Sequence, residues 1–245
     1  MKYQIDTVPV WDAYKEGGEC PFCAIGKTVL DREIRYFLGE SVMEPDQRIE
    51  VNRDYFCSEH LHRLYTEGNR LGLGLMTHTY IKNMLPVFAN AAEGMIAGAK
   101  KDALKPGALR KNLRKSIDES RRIASGCVLC RRLNDNMDRY YYTLLHLYKH
   151  DPDFKAAFLA SKGMCLEHFN EVMRMACEHL DMATLKPFVA DLCEIEQKNL
   201  ERLRDEVEWF TLKFDYRNQD KPWGNSRDAV KRAVNKMRHT TLTDE

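Results

Sequence analysis

Cys127-Val128-Leu129-Cys130 is followed, 34 intervening residues later, by Cys165-Leu166-Glu167-His168. The same arrangement occurs earlier: Cys20-Pro21-Phe22-Cys23 is followed, 33 intervening residues later, by Cys57-Ser58-Glu59-His60. Cys-x2-Cys with Cys-x2-His is metal-ligand spacing. A two-residue gap lets both thiolates of a turn reach one ion. A cysteine at a helix start and a histidine three residues on share one face of that helix. Six of the eight cysteines and two of the eight histidines fall into these sets. Three thiolates and one imidazole suit tetrahedral zinc in a structural site, with all four positions taken by protein. Two zinc ions per chain are therefore expected, held by Cys20, Cys23, Cys57, His60, Cys127, Cys130, Cys165 and His168. An iron–sulfur cluster with one histidine ligand is the rival, since thiolate sets also hold such clusters. Each Cys-x2-Cys either closes with its own Cys-x2-His or with that of the other half. The shorter loop favours local pairing.

Other residue types could also do chemistry. Asp31 and Asp138 stand eight residues past each Cys-x2-Cys. They are placed to orient the ligand imidazoles or to pair with Arg32 and Arg139. His146 and His150 stand i, i+4 on one helix without a third metal ligand, so packed or solvated histidines are expected. Cys177 and Cys193 have no counterpart in the first half and are read as core thiols. Asn69, Arg70 and His78 surround a glycine-rich helix start that either binds an anion or packs closely on another backbone. Asp215, Tyr216, Arg217 and Trp223 form a polar–aromatic loop cluster that is either functional or a capped turn. Lys100 to Arg122 carries nine Lys or Arg against three acids. No aromatic residue interleaves it, so a solvated linker helix is expected and nucleic-acid binding is not.

The elements that must position these groups read as helices almost throughout. Tyr3 to Val8 reads as an extended arm, and Pro9 as the first turn of a short helix through Tyr14 that Gly17-Gly18 ends. Ile25, Val29, Ile34, Phe37, Leu38 and Val42 recur at three- and four-residue steps, a helix signature. Pro45-Asp46 starts a short helix, and a further one runs from Cys57 to Thr66. A long helix follows from Asn69 to about Lys101, with small residues, Gly94 and Gly98 among them, near its end. Past Pro106-Gly107, Leu133, Met137, Tyr140, Tyr141, Leu144, Leu147 and Tyr148 mark the buried side of the next long helix. Asp151-Pro152-Asp153 breaks it, a short helix through Leu159 follows, and Cys165-x2-His168 leads into a helix to about Leu180. Leu185, Phe188, Leu192, Ile195, Leu200, Leu203, Val207 and Phe210 then form a seam. A turn-rich loop through Pro222-Trp223-Gly224 leads to a last helix, Ser226 to His239.

Composition bounds the setting. The 245 residues are 44% hydrophobic and 31% charged with a formal net charge of +1, which suits a globular chain and does not by itself demand nucleic acid or membrane. No run approaches the roughly 20 apolar residues of a membrane span. Met1 to Asp6 lacks the apolar region of a secretory signal. Sparse cysteines clustered in x2 pairs fit a reducing cytoplasm, where thiols stay free to bind metal.

The two ligand sets belong to an internal repeat. Cys20, Cys23, Asp31, Arg32, Pro45 and Asp46 match Cys127, Cys130, Asp138, Arg139, Pro152 and Asp153 at an offset of 107; Cys57, Glu59 and His60 match Cys165, Glu167 and His168 at 108. The expected architecture is all-α, with two tandem related helical halves, 1–105 and 106–245, each clamped by a Cys3His metal site. The chain resembles an uncharacterised bacterial family of duplicated Cys/His helical proteins, a domain of unknown function. The resemblance runs nearly the whole chain. It rests on Glu19-Cys20-Pro21-Phe22-Cys23, Asn69-Arg70-Leu71-Gly72-Leu73-Gly74-Leu75, Cys165-Leu166-Glu167-His168, Asp215-Tyr216-Arg217 and Pro222-Trp223-Gly224. That family carries no established activity. Its members are sometimes labelled ABC-transporter substrate-binding proteins, which would need a signal sequence and alternating strand–helix units that this sequence does not show. Closed metal sites and no nucleophile–base set at telling spacing point to a non-catalytic binding or scaffold protein for a protein or small-molecule partner. The alternatives are an enzyme, with a pocket between the halves lined by Arg70, His78, Tyr216 and Arg217, and an iron–sulfur redox protein.

Overall fold

A computed structural model describes residues 4–100, 106–123 and 125–238. The described residues form eleven α-helices and no strand. In order they are Gln4–Glu16 (α1), Pro21–Leu38 (α2), Pro45–Asp54 (α3), Ser58–Thr66 (α4), Arg70–Lys100 (α5), Pro106–Ile123 (α6), Val128–His150 (α7), Pro152–Leu159 (α8), Leu166–His179 (α9), Met182–Leu212 (α10) and Ala229–Arg238 (α11).

Local chemistry sets most of the boundaries. Pro45 and Pro152 open α3 and α8 at positions where a missing N–H costs nothing. Asp151 caps α8 through the N–H groups of Asp153 and Phe154, and Asp181 caps α10 through that of Thr184. Asn69 Oδ1 accepts from Gly72 N at 2.9 Å at the start of α5. Gly68, at φ 98°, lets the chain leave α4.

The N-terminus differs from the expected extended arm: α1 is helical from Gln4, with Pro9 inside it. Burial overrides the proline. Val10, Ala13 and Tyr14 are buried, α1 packs on α8, and the Trp11 indole donates to Asp151 Oδ2 at 3.3 Å. Residues 1–3, 101–105, 124 and 239–245 lie outside the described residues, and with them the expected helix end at His239.

The chain divides into two compact units. One comprises Met1–Val29 and Asp135–Glu245, the other Leu30–Asn134. This differs from the sequence division at 105/106, because both boundaries fall within helices, α2 and α7. The core of the first unit is aromatic. Phe158 is fully buried, with its ring centroid 5.4 Å from Tyr148 and 5.6 Å from Phe188, while Phe22 meets Tyr141 at 4.9 Å. In the second unit, Ile34, Phe37, Val51, Phe56, Leu64, Met76, Val128 and Leu129 form one buried cluster, against which Cys57 and Cys130 pack. Phe158→Ala should lower unfolding stability by about 3–5 kcal/mol, read as a fall in the denaturant midpoint with the slope unchanged.

Candidate metal centres

Each Cys3His set is built from two helix starts. In the first unit, Cys20 immediately precedes α2 and Cys23 lies in its first turn. Cys165 is the residue before α9, extended at φ −67° and ψ 158°, and His168 lies in that helix's first turn. In the second unit, Cys57 holds the same position before α4, at φ −75° and ψ 167°, with His60 in the first turn. Cys127 and Cys130 sit at the start of α7. Helix starts carry unpaired N–H groups and positive dipole ends, which favour thiolates. The amide of Cys130 already donates to Cys127 Sγ at 3.4 Å.

The groupings are Cys20, Cys23, Cys165 and His168, and Cys57, His60, Cys127 and Cys130, with all donor atoms of a set within 4.8 Å of one another. This corrects the expectation of local pairing: each Cys-x2-Cys closes with the Cys-x2-His of the other sequence half. The loop argument was too weak to decide. Cys23 and Cys165 are 142 residues apart, yet a fourfold longer loop costs only about 1 kcal/mol more, less than one buried side chain contributes.

In the first set, His168 Nδ1 lies 3.3, 3.6 and 3.1 Å from the sulfurs of Cys20, Cys23 and Cys165, and the sulfurs of Cys23 and Cys165 are 3.7 Å apart. In the second, His60 Nδ1 lies 3.2, 3.3 and 3.4 Å from those of Cys57, Cys127 and Cys130, and the sulfurs of Cys57 and Cys130 are 3.8 Å apart. None of the eight cysteines is in a disulfide. Burial pushes the Cys20 thiol up to about 12. Hydrogen bonding with Cys165 raises that of Cys23, and burial raises that of Cys130. Burial lowers His60, so its imidazole is neutral and able to ligate. A cation entering either set must displace thiol protons, so binding is coupled to proton release.

The two sets are braced differently. In the second unit, Val128 N donates to Tyr55 O at 2.9 Å, joining the segment before α4 to the start of α7. Tyr55 sits at φ 49° to present that carbonyl. At the repeat offsets, Val128 corresponds to Pro21 and Tyr55 to Gly163, which is also left-handed at φ 75°. Pro21 has no N–H to donate. Lys236, on α11 and fully buried in its side chain, serves the first unit instead. Its ammonium donates to Lys162 O at 2.6 Å and Glu19 O at 3.4 Å, one carbonyl in each ligand-bearing segment. It also lies 3.1 Å from Glu196 Oε2, an ion pair whose alignment falls short of a hydrogen bond. Burial raises the Glu196 carboxyl, and Lys236 opposes that. Glu196 Oε1 accepts the amide of Met164, and a Cβ on Gly163 would collide with this carboxylate. Glu19, next to Cys20, is held by Arg202 at 2.6 Å and Arg232 at 3.0 Å. None of Lys236, Glu196 and Gly163 stood out in the sequence. The available signal was Pro21, which stands where the other motif has Val128.

The remaining candidates separate clearly. Asp31 pairs with Arg63 at 2.6 Å and Asp138 with Arg174 at 3.0 Å. Both aspartates thus tie a Cys-x2-Cys helix to a Cys-x2-His helix. Arg32 and Arg139 pair elsewhere, with Glu33 and Asp6. Cys177 and Cys193 are exposed, correcting the core-thiol expectation; their neighbours Ala176 and Leu192 take the buried positions. His146 and His150 are neighbours, with ring centroids 4.7 Å apart. Asn69 donates to Leu38 O at 2.5 Å besides capping α5. A Cβ on Gly72 would lie 2.8 Å from the Asn69 amide and 3.1 Å from Val42, so close packing accounts for that glycine. Arg70 lies over the Tyr65 ring, 4.6 Å from its centroid, and His78 is exposed. Tyr216 is exposed, and Arg217 forks onto Asp215. Asn69, Arg70 and His78 belong to one unit, Tyr216 and Arg217 to the other. The loop carrying the latter is tied by Lys213, whose ammonium donates to the carbonyls of Asn218, Gln219 and Lys221 at 2.6–2.7 Å.

An all-helical chain with two four-donor Cys3His groups, each able to hold a metal ion, defines a metal-binding architecture. The model of a family of unknown function, DUF6062, matches residues 1–244, and the chain belongs to that family. No curated protein and no solved structure matches it. The transporter label attached to similar chains finds no support, since no strand occurs among the described residues.

Paired serine substitutions distinguish crossed from local ligation. Cys20→Ser with Cys165→Ser should halve the metal bound per chain, and Cys20→Ser with Cys57→Ser should abolish it; local ligation gives the reverse order in elemental analysis. Lys236→Met should speed metal transfer to a chelator from the Cys20 set by roughly 10–100-fold and leave the Cys57 set unchanged. Equal rates at both sets would refute the bracing role.

Proposed function

We propose that this chain is a non-catalytic helical binding or scaffold protein, in which each Cys3His set closes on one zinc ion. The observation that carries the reading is the spacing of the donors. Bond lengths of about 2.3 Å to sulfur and about 2.0 Å to nitrogen around a tetrahedral zinc imply sulfur–sulfur edges of about 3.8 Å and sulfur–nitrogen edges of about 3.5 Å. One sulfur–sulfur edge in each set is 3.7 and 3.8 Å, every donor pair lies within 4.8 Å, and the sulfur–nitrogen edges are 3.1–3.6 Å. In an iron–sulfur cluster two or more irons and their bridging sulfides stand between the protein ligands, so donors bound to different irons are held beyond mutual contact. Donors this close suit a single ion. Four protein donors complete a tetrahedron and leave no position for water or substrate, so the ion's work is to fix two helix starts against each other.

Descent of the halves from one duplicated unit is part of the same reading. The reciprocal ligand sets, the left-handed residue two before Cys57 and Cys165, and the Asp31–Arg63 and Asp138–Arg174 pairs support it. Six ligating thiols favour a reducing, cytoplasmic setting. A protein or small-molecule partner is favoured over nucleic acid, because the basic residues of α6 have no interleaved aromatic side chains.

Metal content of chain purified anaerobically without added metal tests the zinc reading. Two zinc per chain and no visible colour are expected, with Cys130→Ser retaining one. Iron with stoichiometric sulfide and a brown spectrum would replace it with redox chemistry.

A further inference from the structure

Helix α5 poses a burial problem that the described residues do not solve. One face, with Leu73, Met76 and Ala91, is buried, and α3 and α6 pack on the helix. At 100° per residue, Leu75, Leu85 and Ile96 lie opposite that face and Ile81 and Phe88 on its flank, and in chain order Leu75, Ile81, Leu85, Phe88 and Ile96 are 37%, 48%, 57%, 47% and 52% exposed. Between Ile81 and Asn90 every residue except Met84 is exposed, and Lys82 is the one charge among them. Helices apolar on nearly every side are normally covered, and a continuous apolar stripe of this length marks an interaction surface. No helix among the described residues is long and apolar enough to cross a membrane.

We propose that a second copy of this chain covers the stripe, with α5 packed on α5 antiparallel about a two-fold axis near Val87 and Phe88. The charges select this occupant. Lys82 and Glu93 are the two charged residues of α5 between Arg70 and Lys100. Eleven residues is about three turns, so both lie on the same edge of the stripe. Neither is engaged in an ion pair among the described residues. A two-fold axis midway between them sets Lys82 against the partner's Glu93 and Glu93 against the partner's Lys82. A parallel arrangement would place each charge and its copy on opposite edges of the interface and pair neither. The area fits as well. The five apolar side chains offer on the order of 500 Å² per copy, the larger part of the ~800 Å² each partner contributes to a standard stable interface. Isologous pairing of this kind closes on itself. The inference goes beyond the zinc reading and does not depend on which ion the Cys3His sets hold.

Sedimentation velocity on the full metal-loaded chain tests it. A species of twice the 28.6 kDa chain mass is expected. Leu85→Glu should yield the single chain with helicity and metal content unchanged. Lys82→Glu and Glu93→Lys should each weaken the dimer by at least about tenfold, and the double variant should restore it. An unmodified chain that sediments as a monomer overturns the proposal. So does a dimer indifferent to Leu85→Glu, or a double variant no tighter than the single ones. The two charge reversals are exposed substitutions, so they decide the matter even if Leu85→Glu misfolds.

Discussion

Four donor atoms must come within about 2.3 Å of one point to share an ion, and the helices that carry them are arranged around that convergence. Each meeting point is formed by the starts of two helices, one bringing a Cys-x2-Cys and the other a Cys-x2-His. Buried thiols are poor company for one another: they resist ionising when dehydrated, and they repel once ionised. The burial of Cys20, Cys127 and Cys165 therefore makes physical sense when a cation draws the donors together. The helix starts supply amide dipoles that favour the residual negative charge. Aromatic residues around each set, Phe22 and Tyr141 beside His168 and Phe37 and Phe56 in the cluster near Cys57, keep water away and strengthen the electrostatics.

The two centres solve one mechanical problem with different chemistry. The segments entering each centre have to be tied together where they meet. In the second unit a single backbone hydrogen bond does this, from Val128 to a carbonyl that Tyr55 presents in a left-handed conformation. In the first unit proline occupies the donor position. An ammonium brought by α11 reaches two carbonyls there, and its charge is balanced by Glu196. A buried ion pair of this kind adds little net stability over apolar packing, but it fixes direction: Lys236 can satisfy both carbonyls only when both segments are in place. The glycine at 163 follows from the same arrangement, since Glu196 occupies the space a side chain would need.

What the sequence made legible is what spacing and periodicity encode. All eight ligands are in its two motifs, and the buried positions of α7 and α10, such as Met137, Leu144, Phe188 and Leu192, are readable from three- and four-residue steps. Proline and aspartate marked the starts of α3 and α8. The partition of ligands was not legible, because identical motifs carry no label saying which half they serve and loop entropy separates the choices by only about 1 kcal/mol. The helical state of residues 4–8 was hidden by Pro9, whose local cost is outweighed by the burial of Val10 and Tyr14. The exposure of Cys177 and Cys193 was missed for a similar reason: a lone cysteine is read as buried on average, while its actual position depends on which neighbour faces the core.

Crossed ligation changes what a half of this chain can be. Residues 1–105 contain Cys20, Cys23, Cys57 and His60, a full Cys3His complement by composition, yet those four residues are two halves of different centres. The compact units agree with the centres rather than with the sequence repeat: each unit contains one complete set, and each draws on both halves of the chain. Helices α2 and α7 make this possible, because each begins in one unit beside its thiols and ends in the other. A metal ion bound to either set therefore links sequence segments that the repeat alone would keep apart. The duplicated motif specifies the chemistry of a centre, and the path of these two helices specifies which residues share it.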